Sequence, residues 1–289
     1  MPSKTAALGT AISSAQIQAR RVAADAARRA RITITKVEDL EELNEVAKLF
    51  DSVWAGSSYM PANFLRALAH AGNHISAAYS EDGMVAALVG FLGMYGKELA
   101  LHSHMLAVLP ELQSQGIGYA LKLHQREWAL GREIKVVTWT FDPLVSRNAY
   151  LNLNKLGAEG REYLVNFYGV MEDSINSGDE TDRLLAVWPL ASKRVMAATE
   201  GSSPPETASA SKGTTILGPG PRGEPVTTPA SGDVLICTVP ADIAALRREN
   251  AQQARAWRLA LRRMLGDAIA TGYRATAFSK AGSYVLTRT

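Results

Sequence analysis

The hydrophobic positions along the chain switch between a two-residue and a helical period, which predicts a mixture of strands and helices. Residues 32–35 alternate apolar and polar side chains, as a half-buried strand does. Asp39 then precedes apolar positions that recur at helical spacing up to Trp54, so a capped helix is predicted there. Gly56 and Pro61 end this helix, and the pattern predicts a second, short helix over residues 62–71.

The longest apolar runs predict the centre of a sheet. Residues 84–94 are almost all apolar, which is typical of a strand buried on both faces. Further strands are predicted over residues 75–79, 99–109, 136–141 and 184–190, with helices over 118–131 and 146–156. Because strands and helices do not alternate strictly, the predicted fold is α/β (α+β): a mixed, mostly antiparallel central sheet with helices on both faces.

Composition divides the chain into four predicted segments. Residues 1–31 form a basic Ala/Arg-rich arm, and residues 32–191 form the main domain. Residues 192–233 are rich in Ser, Pro and Gly and predict a linker. Residues 234–289 predict a strand–helix–strand extension, with its helix between Pro240 and Thr271. Because so small a unit is marginal alone, we expect it to pack on the core or to pair with its sheet.

Charge is distributed unevenly behind a net charge of +3. Residues 1–31 carry a net +5, residues 32–239 a net −8, and residues 240–289 a net +6. Neither basic end shows a nucleic-acid recognition motif, so no nucleic-acid partner is expected. No apolar run reaches the roughly 20 residues that span a bilayer, so no membrane partner is expected either. The single cysteine, Cys237, excludes an internal disulfide and a cysteine-based zinc cluster, and favours the cytoplasm.

A strand-to-helix turn with two glycines is the most informative motif. Gly116 and Gly118 follow the strand over residues 99–109 and open the helix over residues 118–131. Glycines at a helix N-terminus allow an anion to approach free backbone N–H groups. The spacing of the glycines excludes a P-loop. A dinucleotide-binding fingerprint would need a third glycine where this chain has Leu121. An anion-binding loop and an ordinary turn both remain open on this spacing.

The longer motif resembles the coenzyme A loop of the GNAT (GCN-type N-acetyltransferase) superfamily. Gln113-x-x-Gly116-x-Gly118 follows Leu106-Ala107-Val108-x-Pro110-Glu111, and the similarity extends over residues 32–190 to Lys155-Leu156-Gly157-Ala158. The resemblance implies a GNAT-like fold, an acyl-CoA co-substrate and no metal. It implies a pyrophosphate site on the backbone of Gln113, Ser114, Gln115, Gly116, Ile117 and Gly118. It also implies pantetheine contacts along Leu106, Ala107 and Val108, and a further contact from Asn148.

Two histidines are the candidates for proton transfer. His102 and His104 are two residues apart on a predicted strand, so their side chains project from the same sheet face. The segment is similar to that of arylalkylamine N-acetyltransferases, which implies that His104 is the general base and His102 its relay. The alternative is that one or both are structural histidines that satisfy buried hydrogen bonds. The tyrosine that often protonates the leaving thiolate in the family is replaced by Leu153, and Tyr150, Tyr168 or water are the alternatives.

The predicted function is acyl-CoA-dependent transfer of an acetyl or other short acyl group to the amine of a small molecule or amino acid. A homodimer is an accompanying hypothesis. A protein N-acetyltransferase and a non-catalytic acyl-CoA-binding module are the alternatives. Asp142 either orients the amine or forms a turn. In the C-terminal extension (residues 234–289, the tail), the arginines Arg258, Arg262 and Arg263 either bind a substrate carboxylate or form a solvated helix face, with Trp257 toward the core.

Overall fold

A single sheet runs through the part of the chain that the computed structural model describes, namely residues 13–54, 60–169, 179–202, 204 and 212–288. The strands are β1 (Thr33–Lys36), β2 (His74–Ser80), β3 (Gly83–Tyr95), β4 (Glu98–Val108), β5 (Val136–Phe141), β6 (Glu159–Leu164), β7 (Arg183–Pro189), β8 (Thr214–Pro219), β9 (Pro225–Thr227), β10 (Val234–Thr238), β11 (Tyr273–Phe278) and β12 (Ser283–Arg288). The helices are α1 (Ser14–Arg29), α2 (Leu40–Trp54), α3 (Ala62–His70), α4 (Ile117–Leu130), α5 (Ser146–Tyr150, continued by a π-helical turn over Leu151–Lys155), α6 (Lys193–Thr199), α7 (Ile243–Glu249) and α8 (Ala251–Ala270).

The first half of the sheet has the order β1-β2-β3-β4-β5-β7-β6. All its neighbouring strands are antiparallel except β4 and β5. These two pair only where Ala100–His102 meets Val136–Thr138, although both strands continue beyond that point. We call the gap between their unpaired carboxyl-terminal halves the fork. A mixed, mostly antiparallel sheet was predicted, and the structure confirms it.

Helices cover both faces of this half, as alternate residues of β2 show. Ala77 lies in a core cluster with Leu43 and Phe50 of α2, whereas Ala78 lies in a second cluster with Leu121 of α4. The α2 and α3 face and the α4 face are therefore distinct layers. Among the described residues, no helix is both long and apolar enough to cross a bilayer.

The predicted N-terminal arm is in fact an integral helix from residue 14. Ser13 and Gln16 form a capping box at the start of α1. The alanine-rich face of α1 packs against α4, with Ala19 fully buried. Gln18 Oε1 accepts a hydrogen bond from Arg126 of α4 at 2.6 Å. The segment assigned to the arm therefore contributes a helix to the core, because small alanines allow close helix packing; residues 1–12 lie outside the described residues.

The predicted linker over residues 192–233 contains regular structure. It carries α6, β8 and β9, and β8 pairs in parallel with β10. Ile216 and Leu217 are fully buried in β8, so two apolar residues anchor a strand inside a segment of biased composition. The linker prediction is therefore wrong for these elements, while residues 203 and 205–211 lie outside the described residues.

The C-terminal extension continues the sheet. Strand β11 meets β6 where Ala275 pairs with Gly160, and β12, β10, β8 and β9 follow. A Cβ at Gly160 would lie 2.7 Å from Leu184, so this junction requires a glycine. The predicted helix between residues 240 and 271 is two helices, because the backbone turns at Asn250, whose side chain accepts a hydrogen bond from the Gln253 N–H and caps α8.

Candidate functional site

The glycine turn forms a loop of unpaired backbone donors between β4 and α4. Ser114 and Gly116 both have left-handed backbones, with φ of +68° and +87°. Gly116 is the N-cap residue of α4, and its carbonyl accepts from the Ala120 N–H at 2.9 Å. The N–H groups of residues 115–118 have no acceptor within the described part of the chain. Such a concave array at a positive helix end suits the phosphates of a nucleotide coenzyme.

Space at the loop agrees with an anion site. A Cβ built on Gly116 would have no atom within 4 Å, so this side of the loop faces open space. A Cβ on Gly118 would lie 3.3 Å from the Leu106 side chain, which packs the start of α4 against β4. The two positions therefore favour glycine for different reasons: Gly116 leaves room for a ligand to approach the loop, and Gly118 allows the helix to pack closely on the strand.

The loop also contacts the start of α5. Gln113 donates weakly to the Val108 carbonyl at 3.4 Å, and Arg147 donates to Gln113 Oε1 at 3.2 Å. Asn148 follows Arg147 and is half-buried in the same turn. The structure therefore brings the Asn148 turn beside the predicted pyrophosphate loop. It also places the exposed cation Arg147 there.

Strand β4 contributes an open edge to the site. Leu106, Ala107 and Val108 pair with β3 on one side, and on the other side they border the fork. Ala107 is buried, whereas Leu106 and Val108 are half-buried. These are the residues expected along the pantetheine arm, and they connect the loop to the histidines.

His102 and His104 lie together at the closed end of the fork. Val89 pairs with Met105 and Gly90 with Ser103, so His104 is the extra residue of a β-bulge. The two imidazole centroids are 6.0 Å apart, and Phe91 lies 5.2 Å from one and 5.6 Å from the other. His102 Nδ1 is 3.2 Å from Thr138 Oγ1 on β5. The expected placement of both rings on one face is confirmed.

Burial favours the neutral form of both imidazoles. Burial, together with the neighbouring His104 and Lys122, lowers the pKa of His102 to about 4. Burial also lowers the pKa of His104 below its ordinary value. A neutral imidazole accepts a proton, and a base works best when its pKa lies near the operating pH. The arrangement therefore favours His104 over the more strongly shifted His102 as the base.

An apolar groove of about 440 Å³ opens beside His104. It runs between α3 and β3, on the sheet face opposite α4. Its lining residues are Met60, Phe64, Leu68, Asn73, Phe91, Leu92 and His104. Asn73 is held by hydrogen bonds to the backbone of Leu68 and Leu92, so its amide is occupied. The groove therefore offers mainly hydrocarbon and aromatic surface next to the imidazole.

The candidate proton donors lie at different places. Leu153 is fully buried and offers no proton, as the sequence indicates. Tyr168 Oη lies 3.0 Å from Thr140 Oγ1 on β5, near the fork, and Tyr150 is half-buried on α5. Lys122 of α4 also reaches the fork, and sequence reasoning missed it. No clear signal in the sequence marked it, because Arg126 is also charged and lies one helical turn further along α4.

Asp142 is bound by the tail and does not orient an amine. Arg258 contacts both of its carboxylate oxygens at 2.8 and 3.0 Å, and Arg247 contacts one at 2.7 Å. Burial raises the pKa of the Asp142 carboxyl, but the two guanidinium groups outweigh burial and hold it below the ordinary value. Asp142 Oδ1 also accepts from the Leu144 N–H at 2.9 Å, so the turn alternative is confirmed.

The tail arginines are likewise satisfied within the chain. Arg258 also binds Asp179, and Arg262 binds Asp182 and Glu180. Arg263 donates to Thr227, and Trp257 is buried with its Nε1 donating to the Gly223 carbonyl. The carboxylate-clamp hypothesis was wrong for Arg258 and Arg262, since the core supplies their carboxylates. Within the described residues, no group of three or more His, Cys, Asp or Glu is placed to hold a metal ion.

Comparison with protein families matches the same region. Residues 39–154 match the sequence model of the acetyltransferase (GNAT) family. The matched range contains β4, the glycine loop, α4, the fork and most of α5 with its π-helical turn. The chain therefore carries a GNAT acetyltransferase domain, and the predicted family and enzyme class, an acyltransferase, are confirmed.

Solved structures similar to this chain include acetyltransferases for different acceptors. An aminoglycoside acetyltransferase from an uncultured soil metagenomic sample, in complex with sisomicin, is 22% identical, with 39% of this chain and 78% of that one covered and a TM-score of 0.35. The ribosomal-protein-S18-alanine N-acetyltransferase from Escherichia coli is 15% identical, with 56% and 95% covered and a TM-score of 0.43. The NatC complex bound to Gag peptide and CoA is 16% identical, with 55% and 98% covered and a TM-score of 0.44. A search of curated proteins found no match.

Proposed function

We propose that this protein transfers an acetyl or other short acyl group from coenzyme A directly to the amine of a small molecule. One observation carries the proposal: His104 lies between the fork, which leads to the donor-rich loop, and the apolar groove. A coenzyme held at the loop and extended along β4 reaches the histidines from one side. An acceptor in the groove reaches them from the other.

The chain's own residues supply binding and proton transfer. The backbone of residues 113–118 holds the pyrophosphate, with Arg147 and Asn148 beside it. The open edge of β4 at residues 106–108 orients the pantetheine arm and offers N–H groups for the developing oxyanion. His104 removes the proton from the attacking amine, and His102, anchored to Thr138, relays it. The coenzyme supplies the acyl thioester.

The groove and the charge distribution favour an amine with an apolar body as the acceptor. Phe64, Leu68 and Phe91 offer aromatic and aliphatic contact surface. The net −8 of residues 32–239 attracts a cationic amine at long range. Cytoplasmic localisation, supported by a single buried cysteine, Cys237, and a homodimer remain accompanying proposals.

Acceptor-dependent release of coenzyme A thiol tests the proposal. The protein is incubated with acetyl-CoA and a panel of aryl and alkyl amines, amino acids and short peptides of matched amine pKa. We expect turnover with apolar amines and little with peptides. Turnover only with peptides would establish the protein N-acetyltransferase alternative. Tight coenzyme binding without any turnover would establish the binding-module alternative.

The His104→Ala variant tests the base. In the wild type, kcat rises as His104 loses its proton, through a pKa below about 6.5. We expect the variant to lose this rise and to lower kcat by about 100-fold or more, with coenzyme affinity nearly unchanged. The matched control is His70→Ala, because His70 is exposed at the end of α3. An unchanged pH profile in His104→Ala would remove this residue as the base.

A further inference from the structure

A buried lysine marks the closed end of the fork. Lys122 projects from α4 and is only 5% exposed. Its Nζ donates to Ser103 Oγ of β4 at 2.7 Å and lies 3.8 Å from the ring centroid of Trp139 on β5. Ser103 and Trp139 are the first residues beyond the last β4–β5 pair, His102 with Thr138. The amine therefore touches both strands at the point where they separate.

Within the described residues, Lys122 forms no ion pair with a carboxylate. Its hydrogen bond goes to a neutral hydroxyl and its other contact is an aromatic face. An ion-paired lysine is locked in its charged form, whereas this one can change its protonation state. Burial holds the pKa of the Lys122 ammonium well below its ordinary value. A lysine shifted in this direction by burial is suited to act as an acid near neutral pH.

Resting on the proposed function, we propose that Lys122 is the general acid of the reaction and protonates the departing coenzyme A thiolate, with Ser103 Oγ as its relay. Ser103 lies on β4 between the two histidines, on the opposite face from their rings. The base and the acid therefore approach the fork from opposite sides of the sheet. This placement assigns the proton donor that Leu153 does not provide.

The proton and electron balance is closed without another reactant. The acceptor nitrogen forms a bond to the thioester carbonyl carbon, and its proton passes to His104. When the tetrahedral intermediate collapses, the C–S bond breaks and its electron pair goes to sulfur. Ser103 gives its hydroxyl proton to sulfur as it receives one from the Lys122 ammonium. Solvent returns the proton from the imidazolium to the lysine after product release.

The state of the coenzyme thiol tests the assignment without turnover. Coenzyme A is bound to the protein, and its thiolate is titrated by ultraviolet absorbance against free coenzyme. The Lys122 ammonium and the Ser103 hydroxyl that it polarises stabilise the thiolate, so we expect the pKa of the bound thiol to lie about 1 unit or more below that of the free thiol. A bound thiol that titrates as in solution overturns the inference while leaving the proposed function standing. Absence of coenzyme binding would instead overturn both.

Variants separate Lys122 from the other donors. We expect Lys122→Met to bring the pKa of the bound thiol back toward the free value and to lower kcat about 100-fold or more, with little change in coenzyme affinity. Ser103→Ala should lower kcat while retaining part of the thiol shift. Lys48→Met is the matched control, because Lys48 is exposed on α2. Suppose that Lys122→Met keeps the wild-type pKa shift of the bound thiol and the wild-type kcat, while Tyr168→Phe loses one of them. That result would assign the role of general acid to Tyr168.

Folding of the variants is checked by circular dichroism and by coenzyme affinity. If Lys122→Met does not fold, the wild-type thiol titration and Ser103→Ala still decide. If Ser103→Ala keeps both the wild-type shift in the pKa of the bound thiol and the wild-type kcat, the relay role of Ser103 is contradicted.

Discussion

The residues of the site differ in how far their roles can be predicted from the sequence. Gly116 has a left-handed backbone and open space at its Cβ position, which its place in the motif already suggested. His102 and His104 were found by their two-residue spacing. The bulge that makes His104 the extra residue was not, because a bulge depends on the register with β3. The role proposed for Lys122 was not predicted, because it depends on contacts with Ser103 and Trp139, which are distant in sequence.

Replacement of Gly116 tests the loop at this scale. In Gly116→Val, a branched side chain points into the space proposed for the phosphates, and the positive φ adds strain of about 1–3 kcal/mol. We expect coenzyme affinity, measured by titration calorimetry, to fall about tenfold or more. Gly272→Val is the matched control: Gly272 has a φ of +96° and open space around it, but lies in the tail. Equal coenzyme affinity in the two variants would contradict the pyrophosphate placement.

At the scale of elements, α8 is fastened to the core by buried charge. Arg258 is 1% exposed and binds both Asp142, after β5, and Asp179, before β7. Arg262, one turn further along α8, binds Asp182, which also accepts from Tyr163. The arginine spacing was visible in the sequence. Its carboxylate partners were not, because they lie 79 to 116 positions earlier in the chain and meet the helix only in the fold.

Arg258→Met tests this attachment. Removing the cation takes away hydrogen bonds between charged groups and leaves Arg247 as the remaining guanidinium on Asp142 and Asp179, so we expect the free energy of unfolding to fall by about 1.5–3 kcal/mol in a denaturant titration. Arg255→Met, on the exposed side of α8, should change it by less than about 0.5 kcal/mol. Because the pKa of Asp142 is lowered in the folded protein, its ion pairs stabilise the fold above about pH 4. That contribution is lost as the pH falls from there toward the lowered pKa, so the gap between wild type and Arg258→Met should narrow in acid. A gap that is constant with pH would contradict this role.

At the scale of the whole molecule, one sheet joins the acetyltransferase domain to the tail. Strand β11 extends the sheet at β6, and Tyr284 of β12 donates to the Pro143 carbonyl beside the Asp142 turn. Arg194 of α6 donates to the Gly157 carbonyl at the end of the π-helical turn. The tail therefore supports the turn and helix that carry Asn148, although it contributes no residue to the fork described above.

Calorimetry tests this unity. Because the sheet and the Asp142–Arg258 pair bridge the two parts, we expect residues 13–288 to unfold in a single transition. Arg258→Met should lower the temperature of that transition without splitting it. Two resolved transitions in the wild type would show that the tail folds as a separate unit.

The sequence by itself determined the local elements, the family resemblance and the position of the glycine loop. Periodicity, caps and glycines act between neighbouring residues, so α2, β3, β5 and the loop at residues 113–118 were predictable from them. Tertiary structure decided what distant residues do together: α1 joined the core, β8 formed inside a Ser/Pro/Gly-rich segment, and Arg258 bound Asp142. It also decided where β4 and β5 separate. That separation places His104 on one side of the opening and Lys122 on the other, because strand register and helix packing are properties of the whole fold.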